Sequence, residues 1–395
     1  MIDSINEDAL RQSRVSAVGE GVAHLVCGIA SRHADDVDAE ARFPVEAVDA
    51  LRRVGALSAG VPVELGGAGC GLAELGDLCE RLARCCGSSA MVLAMHYSQL
   101  ACLVRHRRDN PCIEAFLREL VDEQRLLASM TSEVGTYGET RASLCALEAR
   151  DDGTVRLRKE ATTGSYNAQA DAILVTCRHT PDSPSNDQRL VLVRRDQATL
   201  TQTGGWDTLG MRGTCSPPYR LDAVMPAEQV LPDPFDEIAS RTMVPYSHVL
   251  WSALWSGIAA DAVARASRLV REQARAQPSR LPAGATMLAE VSARLQGVQH
   301  AWRTVAAHYD RAAADPSAEF GMDWALRFNH LKVDVSTGAH EVVHGALQVL
   351  GVSGYRNDSP SSVGRHYRDI LSASLMISNT RILAQSAAIL TVLKG

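Results

Sequence analysis

Between Asn6 and about Arg125, apolar residues recur with the spacing of an α-helix. Leu10, Val15, Val18, Val22, Leu25 and Val26 fall on one face of a 3.6-residue period. A second helix begins after Phe43 and Pro44, where proline suits a first turn. It turns Val48, Leu51 and Val54 inward and stops at Gly55. The stretch 61–71 predicts a loop, because Gly66, Gly67, Gly69 and Gly71 cannot share a stable helix. Helical spacing resumes at Leu72 and continues past Cys112.

From about residue 126 to 231 the pattern changes to short segments rich in Val, Ile, Leu and Thr. They read ASMTSEV, SLCALEA, TVRLRKEA, DAILVTCR, QRLVLVRR and PPYRLDAVM, separated by turn clusters such as DDG, PDSPSND and TGG. Six strands without long helices between them predict an antiparallel sandwich or barrel. Pro232 and Pro234 mark the next boundary. Beyond it, helical spacing predicts four long helices over 241–276, 281–314, 322–350 and 363–393, a four-helix bundle. The fold class expected is therefore α+β in three domains: helical over 1–125, β over 126–234, and a bundle over 235–395.

Composition narrows the functional classes. The 395 residues carry a formal net charge of −6, with 46% hydrophobic and 22% charged residues, as in a globular protein. No run of five like charges occurs, which argues against a nucleic-acid partner. No apolar run reaches the ~18 residues of a membrane span, and the first residues lack a secretory pattern, so a soluble, cytoplasmic protein is expected. The ten cysteines include no CxxC pair and predict small core residues in a reducing compartment. Cys85 and Cys86 adjoin Gly87, but nothing beside them in the sequence would activate a thiol.

A Rossmann fingerprint, a P-loop and a GxSxG elbow are all missing. A literal HExxH does occur at His340, Glu341 and His344. On a helix it would set two imidazoles one turn apart beside a carboxylate, as zinc hydrolases do. The third ligand is lacking: Asp358 and Asp369 are the only carboxylates downstream. The competing reading places both histidines on the outside of a bundle helix.

Seven segments, taken in order, carry a resemblance. They are FPVEAVDALRRVGALSAGVPVELGGAG, MTSEVGTYGET, KEATTGSYNAQADAILVTCR, TLGMRGTCSPPYRLDAVMPAEQVL, the arginine at Arg271, QVLGVSGY from Gln348 to Tyr355, and HYRD before Ile370. Together they resemble the acyl-CoA dehydrogenase family over nearly the whole chain. The resemblance implies FAD held between the β domain and the bundle, in a homodimer or homotetramer. It implies that Ser132, the backbone of Met130 and Thr131, and Thr163 face the flavin, and that Gly138 approaches the pyrophosphate. It implies that Arg271, Gln348 and Gly351 reach the FAD of a partner subunit. Hydroxyls suit the hydrogen-bonding edge of a flavin, and a guanidinium suits phosphate. The implied substrate is an acyl thioester carried by CoA or an acyl-carrier protein, with electron-transfer flavoprotein or O2 as acceptor.

The chain departs from that family where its chemistry is done. The flavin-stacking tryptophan is Ala161, the phenylalanine after the motif arginine is Ala274, and the second glycine of a pair is Val352. The catalytic glutamate falls on Ile377, and no Asp or Glu occurs from Ile370 to the end. The alternative base position, in 244–248, also has no carboxylate; His248 is the nearest titratable side chain, as a base or as a buried helix residue. His96 and Tyr97 can line a substrate pocket or belong to the core. The function expected is a thioester dehydrogenase with a relocated base; the alternatives are, in order, a flavin monooxygenase on the same fold, a non-catalytic flavoprotein, and a zinc hydrolase.

Overall fold

The structure, a computed structural model, describes residues 18–315 and 318–393. Leu10 and Val15, in the first predicted helix, lie outside them. The first domain holds α1 (Glu20–Ala39), α2 (Val45–Arg53), α3 (Leu72–Ala83), α4 (Gly87–His106) and α5 (Pro111–Glu123). Helix α1 buries Val22, Val26, Ala30 and Val37, the periodic face its sequence sets out. Asn110 caps α5 by accepting from the N–H groups of Cys112 and Ile113, with Pro111 in the first turn.

The second domain contains β1 (Leu127–Met130), β2 (Leu147–Ala149), β3 (Thr154–Ala161), β4 (Ala172–Arg178), β5 (Gln188–Arg194), β6 (Ala198–Gln202) and β7 (Tyr219–Pro226). They form two sheets, ordered β1-β4-β5 and β2-β3-β7-β6. The ladders between these strands are antiparallel except β1 with β4, where Leu127 faces Ala172 in a parallel register, and one isolated parallel bridge joins Ala146 to Arg178. The antiparallel expectation fails at that one ladder. Between β1 and β4 the chain visits the other sheet, so it returns in its original direction. Strand β6 is an addition to the six expected strands: in its sequence, ATLTQ, Ala198 and Leu200 alternate with exposed threonines, but Leu200 is its one large apolar residue.

The bundle begins with the short α6 (Phe235–Ile238) and a wide π-turn (Ala239–Met243), then α7 (Val244–Ala276), α8 (Ala285–Ala313) and α9 (Met322–Leu350). The first two long helices start three and four residues later than their spacing suggests. The π-turn occupies the approach to α7, and Pro282 and Gly284 delay α8. After α10 (Val352–Tyr355), the last helix is not continuous. It divides into α11 (Gly364–Leu371), a 3-10 turn (Ser372–Ser374) and α12 (Asn379–Leu390). Helix α7 is buried on most sides and forms the centre of the bundle.

Buried polar groups tie the domains together. Glu80 on α3, 2% exposed, accepts from Ser256 on α7 and Gln299 on α8, each at 2.9 Å, and pairs with Arg303. His106 on α4 bridges Asp233, at 2.6 Å, and Thr242 of the π-turn, at 2.8 Å. No helix among the described residues is long and apolar enough to cross a membrane.

Candidate active site

The ends of β1 and β3 set the first part of the site. Immediately beyond them, the Ser132 hydroxyl donates to the Thr163 carbonyl at 2.8 Å and accepts from the Thr163 N–H at 3.1 Å; the two hydroxyl oxygens lie 3.3 Å apart. The structure therefore joins two residues that are 31 apart in sequence. Met130 is fully buried, and the Thr131 carbonyl accepts from the Thr176 hydroxyl at 3.4 Å.

A buried ion pair supports this corner. The Glu133 carboxylate receives the N–H groups of Leu144, at 3.1 Å, and Cys145, at 2.6 Å, and lies 3.6 Å from the Lys159 ammonium. Lys159 also donates to the Thr176 carbonyl at 2.7 Å. Sequence reasoning passed over this pair. The available signal was the alternation of β3, which turns Lys159 inward with Val155, Leu157 and Ala161, where a charge requires a partner.

The turn after Ser132 meets the last helix. Gly138 has φ +79°, and a Cβ on it would stand 2.7 Å from the Arg381 guanidinium. Arg381, on α12, donates to the Tyr137 carbonyl. The turn that the resemblance assigned to phosphate thus lies against a cation, which suits an anionic ligand.

Across this corner the β domain closes on α11. The Met211 N–H donates to the Asp369 carboxylate at 2.6 Å, and Arg368 reaches Asp38 and the Leu209 carbonyl. Burial pushes Asp369 up to about 6, opposed by the Met211 N–H and by Arg365. Between the ordinary carboxylate range and about pH 6, the folded chain holds a proton that the unfolded chain has lost. Stability from this group therefore falls as pH rises through that window and stays lost above it. Asp369→Asn keeps an acceptor for Met211 and removes the buried charge. It should stabilise the protein at pH 7.5 by up to about 3 kcal/mol and much less at pH 4. Thermal melts at the two pH values check this; a variant that melts lower at pH 7.5 would refute it.

Ile377, where the resemblance places a glutamate, lies in the break between α11 and α12. It is 39% exposed with φ +51°. His248 is buried on α7. Its Nδ1 faces the Val244 carbonyl at 2.9 Å and so carries the proton, while Nε2 has no partner. Burial pushes its pKa down to about 4, so the ring is neutral at physiological pH. His96 and Tyr97 are fully buried braces: His96 bridges the Leu57 carbonyl and the Leu127 N–H, and Tyr97 donates to the Ala56 carbonyl.

Arg271, Gln348 and Gly351 lie elsewhere in the protomer. Val270 and Val349 both approach Gly284, which places their neighbours Arg271 and Gln348 at one end of the bundle. All three residues are exposed, and Gly351 has φ +57°. Gln348 is 16 residues beyond Lys332 on α9, roughly 24 Å along the helix. The HExxH residues lie on the outside of α9: His340 and His344 stack at 6.4 Å beside Tyr367, and Glu341 pairs with Arg294. A separate cleft of about 560 Å³ lies between the glycine loop and helices α4, α7 and α8, lined by Tyr97, Arg105, Tyr246 and Asp310. Asp310 is committed there to the Leu72 and Ala73 N–H groups.

Comparisons with known proteins agree with this architecture. A family model described as the acyl-CoA dehydrogenase N-terminal domain matches residues 16–122, and one described as its C-terminal domain matches 241–378. The amino sugar nitrososynthase DnmZ of Streptomyces peucetius is 30% identical over 363 residues, covering 86% of this chain and 84% of its own. The structure of KijD3 with FMN and dTDP-3-amino-2,3,6-trideoxy-4-keto-3-methyl-D-glucose superposes with a TM-score of 0.83 at 24% identity, over 97% of this chain and 95% of that one. FMN-bound TdsC from Paenibacillus gives 0.83 at 19% identity, over 94% and 96%. The fold and the family matches define a flavoenzyme of the α–β–α class. The chain belongs to the acyl-CoA dehydrogenase family, and its cofactor is a flavin.

Proposed function

We propose that the protein is a flavin-dependent monooxygenase that uses O2 to oxidise the amino nitrogen of a polar, sugar-like amine. The observation that carries this reading is the turn at Ile377. Oxidation of a thioester Cα–Cβ bond requires a positioned base for the α proton. This turn offers an apolar side chain, no carboxylate follows it, and His248 is a neutral ring whose low pKa makes it a weak base. An amine supplies its own lone pair and needs no such base. The names of DnmZ and of the KijD3 ligand support an amino-sugar substrate.

The donor set at the corner fits a flavin. Ser132 and Thr163 bring together two hydroxyls, bonded to each other here, that can turn toward a ligand; Met130 and Thr131 bring backbone, and the Gly138 turn lies beside the Arg381 guanidinium, a partner for phosphate. When bound and reduced, the flavin supplies activated oxygen; NAD(P)H-linked reduction would deliver its electrons. The exposed Arg271, Gln348 and Gly351 are free to serve a second subunit. Leu383 and Leu390, exposed on α12, suit burial in a homodimer or homotetramer.

The test loads the protein with FMN or FAD and compares two reactions. With reduced flavin and O2, a nucleotide-linked amino sugar should gain oxygen at nitrogen at least about tenfold faster than without the protein. Under anaerobic conditions, a panel of acyl-CoA thioesters should leave the oxidised flavin unbleached. Rapid bleaching by a thioester, with no oxidation of any amine, would overturn the proposal in favour of a dehydrogenase.

A further inference from the structure

The most exceptional charge in the bundle is Lys332 on α9. It is fully buried, and no carboxylate among the described residues pairs with it. Its ammonium donates to the Ile377 carbonyl and to Asn379 Oδ1, both at 2.7 Å, and lies 5.7 Å from the centre of the Trp255 ring. Burying an ammonium against neutral acceptors is costly, and most proteins avoid it. The cost is informative because of what the ammonium holds.

One acceptor, Ile377, lies in the break between α11 and α12, and the other, Asn379, is the first residue of α12. Ile377 is β-branched and sits in the left-handed region, where such a residue is strained. One helical turn further along α9, Ser336 accepts from Asn379 Nδ2 at 2.9 Å, so two residues of one helix face grip the same turn. At the same turn, Leu375 and Ile377 are exposed. Four residues later, Arg381 contacts the loop that follows Ser132. The turn therefore stands between the Lys332 clamp and the corner of the β domain.

We propose that Lys332 is a positioning residue of the active site: it holds Ile377 left-handed and thereby fixes the apolar wall of Leu375 and Ile377 that faces the bound flavin. The wall's role rests on the flavin reading above; the clamp itself does not. With an unclamped turn, the strain at Ile377 would be relieved by continuing the helix, and the wall would rotate away.

The experiment uses the full chain loaded separately with FMN and FAD. In Lys332→Met, amide hydrogen exchange across 375–381 should rise at least about tenfold while α7 and α8 remain protected, and the visible circular dichroism of the bound flavin should change. The link to Ile377 is tested in a second background. Glycine accepts the left-handed conformation without strain, so in Ile377→Gly the same Lys332→Met change should accelerate exchange by less than about threefold. Unchanged exchange in Lys332→Met, or an equal effect in both backgrounds, would overturn the clamp. Accelerated exchange with an unchanged flavin spectrum would overturn only the role in the site. If the wild type binds neither flavin, the flavin reading fails and the exchange result still decides the clamp. Should Lys332→Met fail to fold, Asn379→Ala, which removes one of the two acceptors, should show the same exchange signature at smaller size; its absence would count against the proposal.

Discussion

Replacing Glu80 by alanine is expected to destabilise the protein by roughly 3 kcal/mol, an effect larger than that of most single changes. The carboxylate lies between three helices from two domains. It is the acceptor for Ser256 and Gln299, and it neutralises Arg303. Without it, the Ser256 hydroxyl, fully buried, loses its acceptor, and Arg303 loses its buried anion. Arg303 is itself partly exposed, so water can recover part of its loss, which keeps the figure from being larger. Glu80→Gln retains the acceptor and should lose much less. Denaturant midpoints of both variants check the argument; equal losses would show that the charge, and not the acceptor, dominates.

Gly210→Val should act on the site more directly. A Cβ at position 210 would fall 2.2 Å from the Arg368 carbonyl and 2.6 Å from the Asp369 nitrogen, both backbone atoms of α11. Neither can swing aside, so the β domain and the bundle must separate where Met211 docks on Asp369. Overpacking of this kind costs roughly 1–3 kcal/mol or more. Because Ser132 and Thr163, proposed above to face the flavin, and α12 belong to the two domains that this junction joins, flavin affinity should fall about tenfold or more, since each 1.4 kcal/mol is a factor of ten. Fluorescence titration with FMN and FAD, alongside a thermal melt, measures both. Wild-type affinity in the variant would mean that the two domains do not need this contact to hold the cofactor.

Individual residues show where the chain could be read and where it could not. The inward face of α1 follows from valine spacing, and α9 begins and ends at the predicted residues, because a helix needs only local hydrogen bonds and one apolar stripe. Strand β6 gives a weak signal because its alternation, Ala198 and Leu200 against Thr199 and Thr201, spans five residues with one large apolar side chain. The fourth bundle helix, expected over 363–393, breaks between Leu371 and Asn379, where residues 372–378 contain neither glycine nor proline and so give no local signal. His248 shows a different limit. Its place in the sequence allowed either a base or a core residue, and only the Val244 carbonyl and the surrounding burial decide its tautomer and its charge.

By itself, then, the sequence determined the three-domain order, the membership of a flavin-binding family, and the absence of a glutamate at the family's position. These are properties of residue type and spacing along the chain. Tertiary structure alone decided that Ser132 meets Thr163, that Glu133 pairs with Lys159 beneath them, and that Lys332 reaches the Ile377 carbonyl where the last helix breaks. Each of these contacts joins residues 26 to 45 positions apart. A strained turn and a buried ammonium that has no carboxylate partner among the described residues are both unfavourable when judged locally. They persist because packing brings each within hydrogen-bond distance of the other, and no local pattern in the sequence encodes that distance.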